Sequence, residues 1–163
     1  MPNAILRRAL PHPDDTDRLG SDLAAAVRLV RPEGLALRLE GDLGAGKTSL
    51  VRAMLRTWGW TGPVKSPTFA LLESYPVDGY DFHHFDFYRF EYPEEFDEAG
   101  FREMFGPGRI CATEWSARAE PYLPAADLIV RLSHEGLGRR AEVEALTDAG
   151  RAVAAALEGA DGQ

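Results

Sequence analysis

Eight consecutive residues, Gly41-Asp42-Leu43-Gly44-Ala45-Gly46-Lys47-Thr48, combine the residue types that can hold a polyphosphate. They satisfy the pattern G-x-x-x-x-G-K-[ST]. Glycines let the backbone curl so that successive N–H groups point inward at phosphate oxygens. A helix opening near Thr48, with Ser49 in its first turn, adds N-terminal donors and a favourable dipole. Lys47 is suited to reach the β- and γ-phosphates, and the Thr48 hydroxyl to join a Mg²⁺ shell. The bland alternative is a glycine-rich turn. It is disfavoured by an alternating strand that enters the motif and an amphipathic helix that leaves it. ATP rather than GTP is expected, because the sequence carries no Asn-Lys-x-Asp guanine reader. The D-x-x-G match at Asp97-Glu98-Ala99-Gly100 falls in an acidic helical stretch and reads as accidental.

A phosphate loop also needs a carboxylate to hold the metal or orient the attacking water. Glu114 ends the run Ile110-Cys111-Ala112-Thr113, and Asp86 lies in His83-His84-Phe85-Asp86-Phe87-Tyr88-Arg89. A lone acid is usually a solvated surface charge. These two sit among hydrophobics, where an ionised carboxylate needs a cation or donors, and Mg²⁺ is the economical partner. His83 and His84 should point to opposite faces of a strand, so a shared transition metal is not expected there. The loop Val64-Lys65-Ser66-Pro67-Thr68-Phe69 is either a plain turn or a switch-like loop whose hydroxyls sense the γ-phosphate. Only two of the 18 basic residues are lysine, Lys47 and Lys65, and both fall in these segments. Trp115, beside Glu114, is either core or an exposed aromatic at the site.

The elements that must position these residues alternate between strand and helix. Ala4 to Leu10 reads as a strand. Asp14, Asp15 and Thr16 offer N-cap oxygens to a helix with Leu19, Leu23, Val27 and Val30 on one face. Leu35, Leu37 and Leu39 alternate as a strand into Gly41. A second helix carries Leu50, Val51, Met54, Leu55 and Trp58. Strands are expected over 68–75 and 82–90 with a turn at Asp78-Gly79, then an acidic helix from Pro93 to near Gly100. Ile110 to Thr113 is a short strand, 127–132 and 141–146 form a hairpin, and a helix runs from Thr147 to Leu157. The pattern predicts an α/β fold like that of P-loop NTPases: a mostly parallel sheet flanked by helices, with an antiparallel strand-rich part. A single domain over 1–163 is expected, with residues 159–163 as a frayed tail.

Composition narrows the function. The chain has 163 residues and a formal charge of -8, and Asp78 to Glu98 holds eight acids against Arg89. Such a stretch repels a polyanion, so direct binding of nucleic acid by this chain is disfavoured unless a partner supplies a basic surface. A single cysteine, Cys111, excludes an internal disulfide and a Cys-rich zinc site. The longest apolar run, Ala152 to Leu157, is too short to span a bilayer. Arg7 and Arg8 lead into Pro11 and Pro13 without a secretory signal, so a cytoplasmic location is the default.

With these segments in view, the sequence resembles the TsaE (YjeE) family of small P-loop ATPases needed to make threonylcarbamoyladenosine in bacterial tRNA. The matching residues are the phosphate loop 41–48, Val64 to Phe69, His84-Phe85-Asp86-Phe87-Tyr88-Arg89, Ile110-Cys111 with Glu114-Trp115, and Leu123-Pro124 with Asp127. The resemblance implies that Thr48 and Glu114 coordinate Mg²⁺, that Asp86 is needed for hydrolysis, and that Trp115 lies beside the nucleotide. It also implies that Thr16 borders the adenine. Ser49 stands where the family usually has a second threonine, and Ala112-Thr113 is less apolar than usual.

The partners so implied are the proteins TsaB and TsaD, with tRNA reached only through them and no membrane involved. This chain would supply ATP hydrolysis that resets their complex between turnovers. The rival readings are a small-molecule kinase, which would need an Arg-bearing acceptor lid, and a non-hydrolytic nucleotide-sensing module.

Overall fold

The computed structural model describes residues 4–161. β1 (Ala4–Leu10) leads into α1 (Pro13–Val30), then β2 (Leu35–Glu40) and α2 (Lys47–Thr57). A hairpin of β3 (Leu72–Val77) and β4 (Tyr80–Asp86) follows, then the single turn α3 (Glu95–Glu98) and a 3-10 turn over Phe101–Met104. β5 (Arg109–Glu114), a 3-10 turn over Ser116–Ala119, the hairpin β6 (Leu128–Glu135) and β7 (Gly138–Ala145), and α4 (Asp148–Asp161) complete the chain. The strands form one sheet in the order β1-β7-β6-β2-β5-β4-β3.

The sheet is mixed, and "mostly parallel" overstates it. β2 pairs in parallel with β5 and β6, and β4 with β5, whereas β1–β7, β6–β7 and β3–β4 are antiparallel. The reason is local. Asp78 (φ 52°) and Gly79 (φ 85°) both take positive φ, as a tight hairpin turn demands, and this adds β3 antiparallel to one edge. The β6–β7 turn at Gly136 does the same on the other side, and β1 then adds outside it.

Two cores cover the sheet. Leu35, Leu37, Leu39, Phe82, Ile110, Leu128 and Val130 face Leu19, Leu23 and Val27 of α1, Leu50 and Met54 of α2, and Val153 and Leu157 of α4. Trp58 locks α2 onto α1 by donating its indole N–H to the Ala24 carbonyl at 3.0 Å. On the opposite face Phe85, Phe87, Phe90, Phe96, Cys111 and Leu123 form a second cluster. Each fully buried phenylalanine there contributes about 1.5–3 kcal/mol. Along β4 the alternation therefore sends Phe85 into this cluster while His84 and Asp86 point to the helical face.

Several boundaries differ from those expected. α1 starts at Pro13, with His12 as its N-cap; Asp15 sits in the first turn and its Oδ2 accepts the His12 N–H at 2.9 Å. β3 begins at Leu72 rather than 68, because Pro67 accepts the Leu71 N–H in a turn and Leu71 takes φ 67°. β4 stops at Asp86 rather than 90: the Asp86 carboxylate captures the Tyr88 N–H at 2.9 Å, an Asx turn that competes with the ladder. α4 continues through Gly159 to Asp161, so this part of the expected frayed tail is helical. Gly162 and Gln163 lie outside the described residues. Among the described residues no helix is long and apolar enough to cross a membrane.

The second core makes a chemical prediction. Cys111 donates its S–H to the Met104 carbonyl at 3.1 Å, and burial pushes the thiol up to about 12. At about pH 8 the reactive thiolate is then scarce in the folded protein. Native protein should resist a thiol reagent that labels Cys111 fully in denaturant. Rapid native labelling, followed by absorbance, would contradict this packing.

Candidate functional site

The parallel register sets the site. Leu39 of β2 pairs with Glu114 of β5, and Glu114 pairs with Asp86 of β4. The carboxyl ends of three parallel strands thus lie at one edge of the sheet, the usual location of a ligand crevice in such folds. The loop 41–46 leaves β2 at this edge and turns into α2. Gly41 has φ 153°, and a Cβ there would come 2.6 Å from the Leu132 carbonyl oxygen. Gly46 has φ 110°, and its Cβ would meet Arg139 Nη1 at 2.9 Å and Thr16 Cγ2 at 3.1 Å. Gly41 is therefore required twice, for conformation and for close approach to backbone, and Gly46 chiefly for its conformation.

A cleft of about 740 Å³ opens at this edge. Leu43, Gly44, Gly46, Lys47, Thr48 and Ser49 line one side, and Ser66, Thr68, Asp86, Glu114 and Trp115 the other. The remaining expected residues lie behind these walls. Ala45 is fully buried, Asp42 accepts the Ala45 N–H through its carbonyl, and the Gly41 carbonyl accepts a hydrogen bond from Lys47 Nζ. Thr16 is buried behind Gly46.

Within 64–69, Ser66 and Thr68 share a 2.8 Å hydrogen bond and face the cleft. Pro67 is buried in the turn. Lys65 is held through its backbone N–H to the Tyr75 hydroxyl at 3.1 Å, and its exposed side chain does not line the cleft.

The two acids differ in environment. Glu114 is 5% exposed: Oε2 accepts from His84 Nε2 at 2.6 Å, and Oε1 lies 3.6 Å from Lys47 Nζ. Burial opposes its charge, but the hydrogen bond and charge of His84, together with Lys47, outweigh this and lower its pKa. Asp86, 6% exposed, is shifted the other way. Burial raises it and the Glu114 charge adds to that, while the Tyr88 N–H, His84 and Lys47 oppose. Neighbouring carboxyl groups whose pKa values are driven apart in this way can take different roles at a site.

Oxygen donors from Thr48, Glu114 and Asp86 face one cleft, which is the hard, incomplete donor set that Mg²⁺ accepts when phosphates and water supply the rest. Among the described residues no group of three or more His, Cys, Asp or Glu side chains could hold a metal. His83 and His84 diverge: His83 Nδ1 shares a 2.7 Å hydrogen bond with Ser74 Oγ, and His84 turns inward to Glu114.

Trp115 sits at the mouth, 48% exposed, with φ 55°. A bulky residue in that conformation costs of order 1–3 kcal/mol. Its ring lies 5.0 Å from that of Tyr88, and the Arg118 guanidinium covers both. Tyr88 and Arg139 also line the cleft and carried no site role in the sequence. Arg139 Nη2 donates to the Gly44 carbonyl at 3.0 Å and Nη1 to Thr16 Oγ1 at 3.5 Å. It comes from the β6–β7 hairpin, 95 residues beyond Gly44, and no local signal marks it.

Comparison with known proteins gives the chain's family and the likeness of its fold. Residues 10–142 match the family described as "Threonylcarbamoyl adenosine biosynthesis protein TsaE". The tRNA threonylcarbamoyladenosine biosynthesis protein TsaE of Haemophilus influenzae is 39% identical over 86% of this chain and 89% of that protein. Its Bacillus subtilis namesake is 33% identical over 77% and 75%. The crystal structure of Bacillus subtilis YdiB superposes with a TM-score of 0.78 and 25% identity, covering 99% of both chains.

Arg139→Ala removes a charged donor that braces the loop, an interaction of about 1.5–3 kcal/mol. Nucleotide affinity should fall about tenfold or more with the fold intact by circular dichroism. Unchanged affinity in a titration would show that the loop holds its shape without Arg139.

Proposed function

Because the chain belongs to the TsaE family and thereby to tRNA threonylcarbamoyladenosine biosynthesis, we propose that it is the ATP-hydrolysing component of that pathway. The observation that carries this reading is the pairing of Asp86 with Glu114 across β4 and β5, facing Lys47 and Thr48 at the loop. A phosphate cradle without acids would only bind. Two buried acids of opposite pKa shift add the means to turn over what is bound.

In this reading the inward N–H groups of 41–46 and the first turn of α2 hold the phosphates of ATP. Lys47 exchanges the Gly41 carbonyl and Glu114 for phosphate oxygens. Thr48 and Glu114 would hold Mg²⁺, which when bound neutralises charge developing on the phosphates. Asp86, the carboxyl group with the raised pKa, orients the attacking water and takes its proton. Trp115 and Tyr88 form the rim beside the nucleotide, and Ser66 and Thr68 lie opposite the loop, where a γ-phosphate would be sensed.

The partners are the TsaB and TsaD proteins, whose complex this hydrolysis resets, and tRNA is met through them. Charge supports this. Glu91, Glu94, Asp97 and Glu98 are all exposed on and around α3, a surface that repels a polyanion.

Three substitutions test the reading by phosphate release and by nucleotide titration on Trp115 fluorescence. Lys47→Ala should abolish or greatly weaken ATP binding. Glu114→Gln should raise the Mg²⁺ requirement. Asp86→Asn should bind ATP near normally yet lose turnover by about 10²–10⁴-fold. Wild-type turnover in Lys47→Ala would end the enzymatic reading. Adding the partner complex should raise phosphate release, and transfer of phosphate to an added small acceptor would favour a kinase instead.

A further inference from the structure

His84 is fully buried on β4, diagonal to Glu114 on the neighbouring parallel strand. A carboxylate only accepts, so the 2.6 Å contact requires a proton on Nε2, which donates to Glu114 Oε2. Among the described residues Nδ1 has no partner, so the bond to Glu114 is the only one this imidazole makes. A histidine that served the core alone would satisfy both nitrogens. This ring spends its single bond on the cleft.

The two oxygens of Glu114 are thereby divided. Oε2 is committed to a ring whose side chain is 1% exposed, and Oε1 faces Lys47, 12% exposed at the cleft wall. When Lys47 turns to a phosphate, Oε1 is the free oxygen. Asp86 lies directly across the strand pair and repels the same carboxylate. A glutamate side chain has three rotatable bonds, and nothing in its own covalent structure would stop it turning away from Asp86.

We propose that His84 is a positioning residue: its Nε2–H holds Oε2 so that Oε1 is presented to the divalent cation of the nucleotide site. This rests on the ATPase reading above. Groups that orient a metal ligand in this way are worth about 10–100-fold in metal affinity.

The test measures Mn²⁺ binding to the full-length protein with ADP by electron paramagnetic resonance, with no turnover needed. His84→Leu should weaken Mn²⁺ by about 10–100-fold, while ADP affinity in EDTA stays within about twofold, less than half a kcal/mol. His84→Gln, which can place an amide N–H near the position of Nε2, should recover most of the affinity. His84→Asn, whose amide falls near Nδ1, should not. In a Glu114→Ala background, His84→Leu should change Mn²⁺ affinity no further.

Wild-type Mn²⁺ affinity in His84→Leu overturns the proposal, as does equal behaviour of the Gln and Asn variants or a full further loss in the Glu114→Ala background. If His84→Leu does not fold, the Gln and Asn pair decides alone. Failure of the ATPase reading looks different: the wild-type protein itself would show no nucleotide-dependent Mn²⁺ binding, or would bind Mn²⁺ with nucleotide and release no phosphate from ATP.

Discussion

Two buried carboxyl groups held side by side on adjacent parallel strands are the constraint around which this structure is arranged. Asp86 and Glu114 share a register position, and like charges placed directly across a strand pair repel. Burial adds to the cost for both. The protein offsets it locally: His84 and Lys47 answer Glu114, and the Tyr88 N–H answers Asp86. What remains is a concentration of negative charge at the sheet edge, beside a loop whose N–H groups suit anions. A divalent cation carried by a polyphosphate, as in the proposed function, would satisfy both surfaces at once.

The same pairing explains why β4 is built as it is. Its alternation must give one face to the second core and the other to chemistry. The Phe85 and Phe87 rings, tilted with centroids 5.6 Å apart, join an aromatic cluster with Phe96, Phe101 and Phe105, which clamps the strand from the side away from the cleft. His84 and Asp86 can then be buried on the other face without being free to turn. Beyond Asp86 the ladder ends because Asp86 itself bonds to Tyr88, and the chain swings up to form the aromatic rim.

The second face of the sheet is only half covered. Over β2, β6, β7 and β1 many of the outward positions carry charge in place of a packed layer. Arg131 bridges Glu40 and Glu144, and Glu142 pairs with both Arg7 and Arg140. Alternate-sign ladders of this kind let a sheet face meet water without an apolar patch. They are worth little individually. Their effect is to leave packing on that side to the aromatic cluster beneath β4 and β5.

The phosphate loop, the strand and helix on either side of it, the alternation of β2 and the Asp78-Gly79 turn were all legible in the sequence, because each depends on residues close in the chain. Glycine conformation, apolar period and turn chemistry are local properties. Asp86 and Glu114 could be picked out as acids in apolar surroundings, since an isolated charge there demands a partner. Their relation to each other could not: it depends on β4 and β5 being parallel neighbours in one register, which the 27 intervening residues do not specify. Arg139 bracing Gly44, and His84 aimed at Glu114, were invisible for the same reason. Alternation of strands with helices favoured a mostly parallel sheet with an antiparallel part; the two hairpins and the pairing of β1 with β7 make the antiparallel share larger than that, because short turns dictate pairing direction where long crossovers do not. The sequence by itself determined which groups could do the chemistry; only the sheet's register decided which of them meet, because strand pairing brings together residues that no local rule connects.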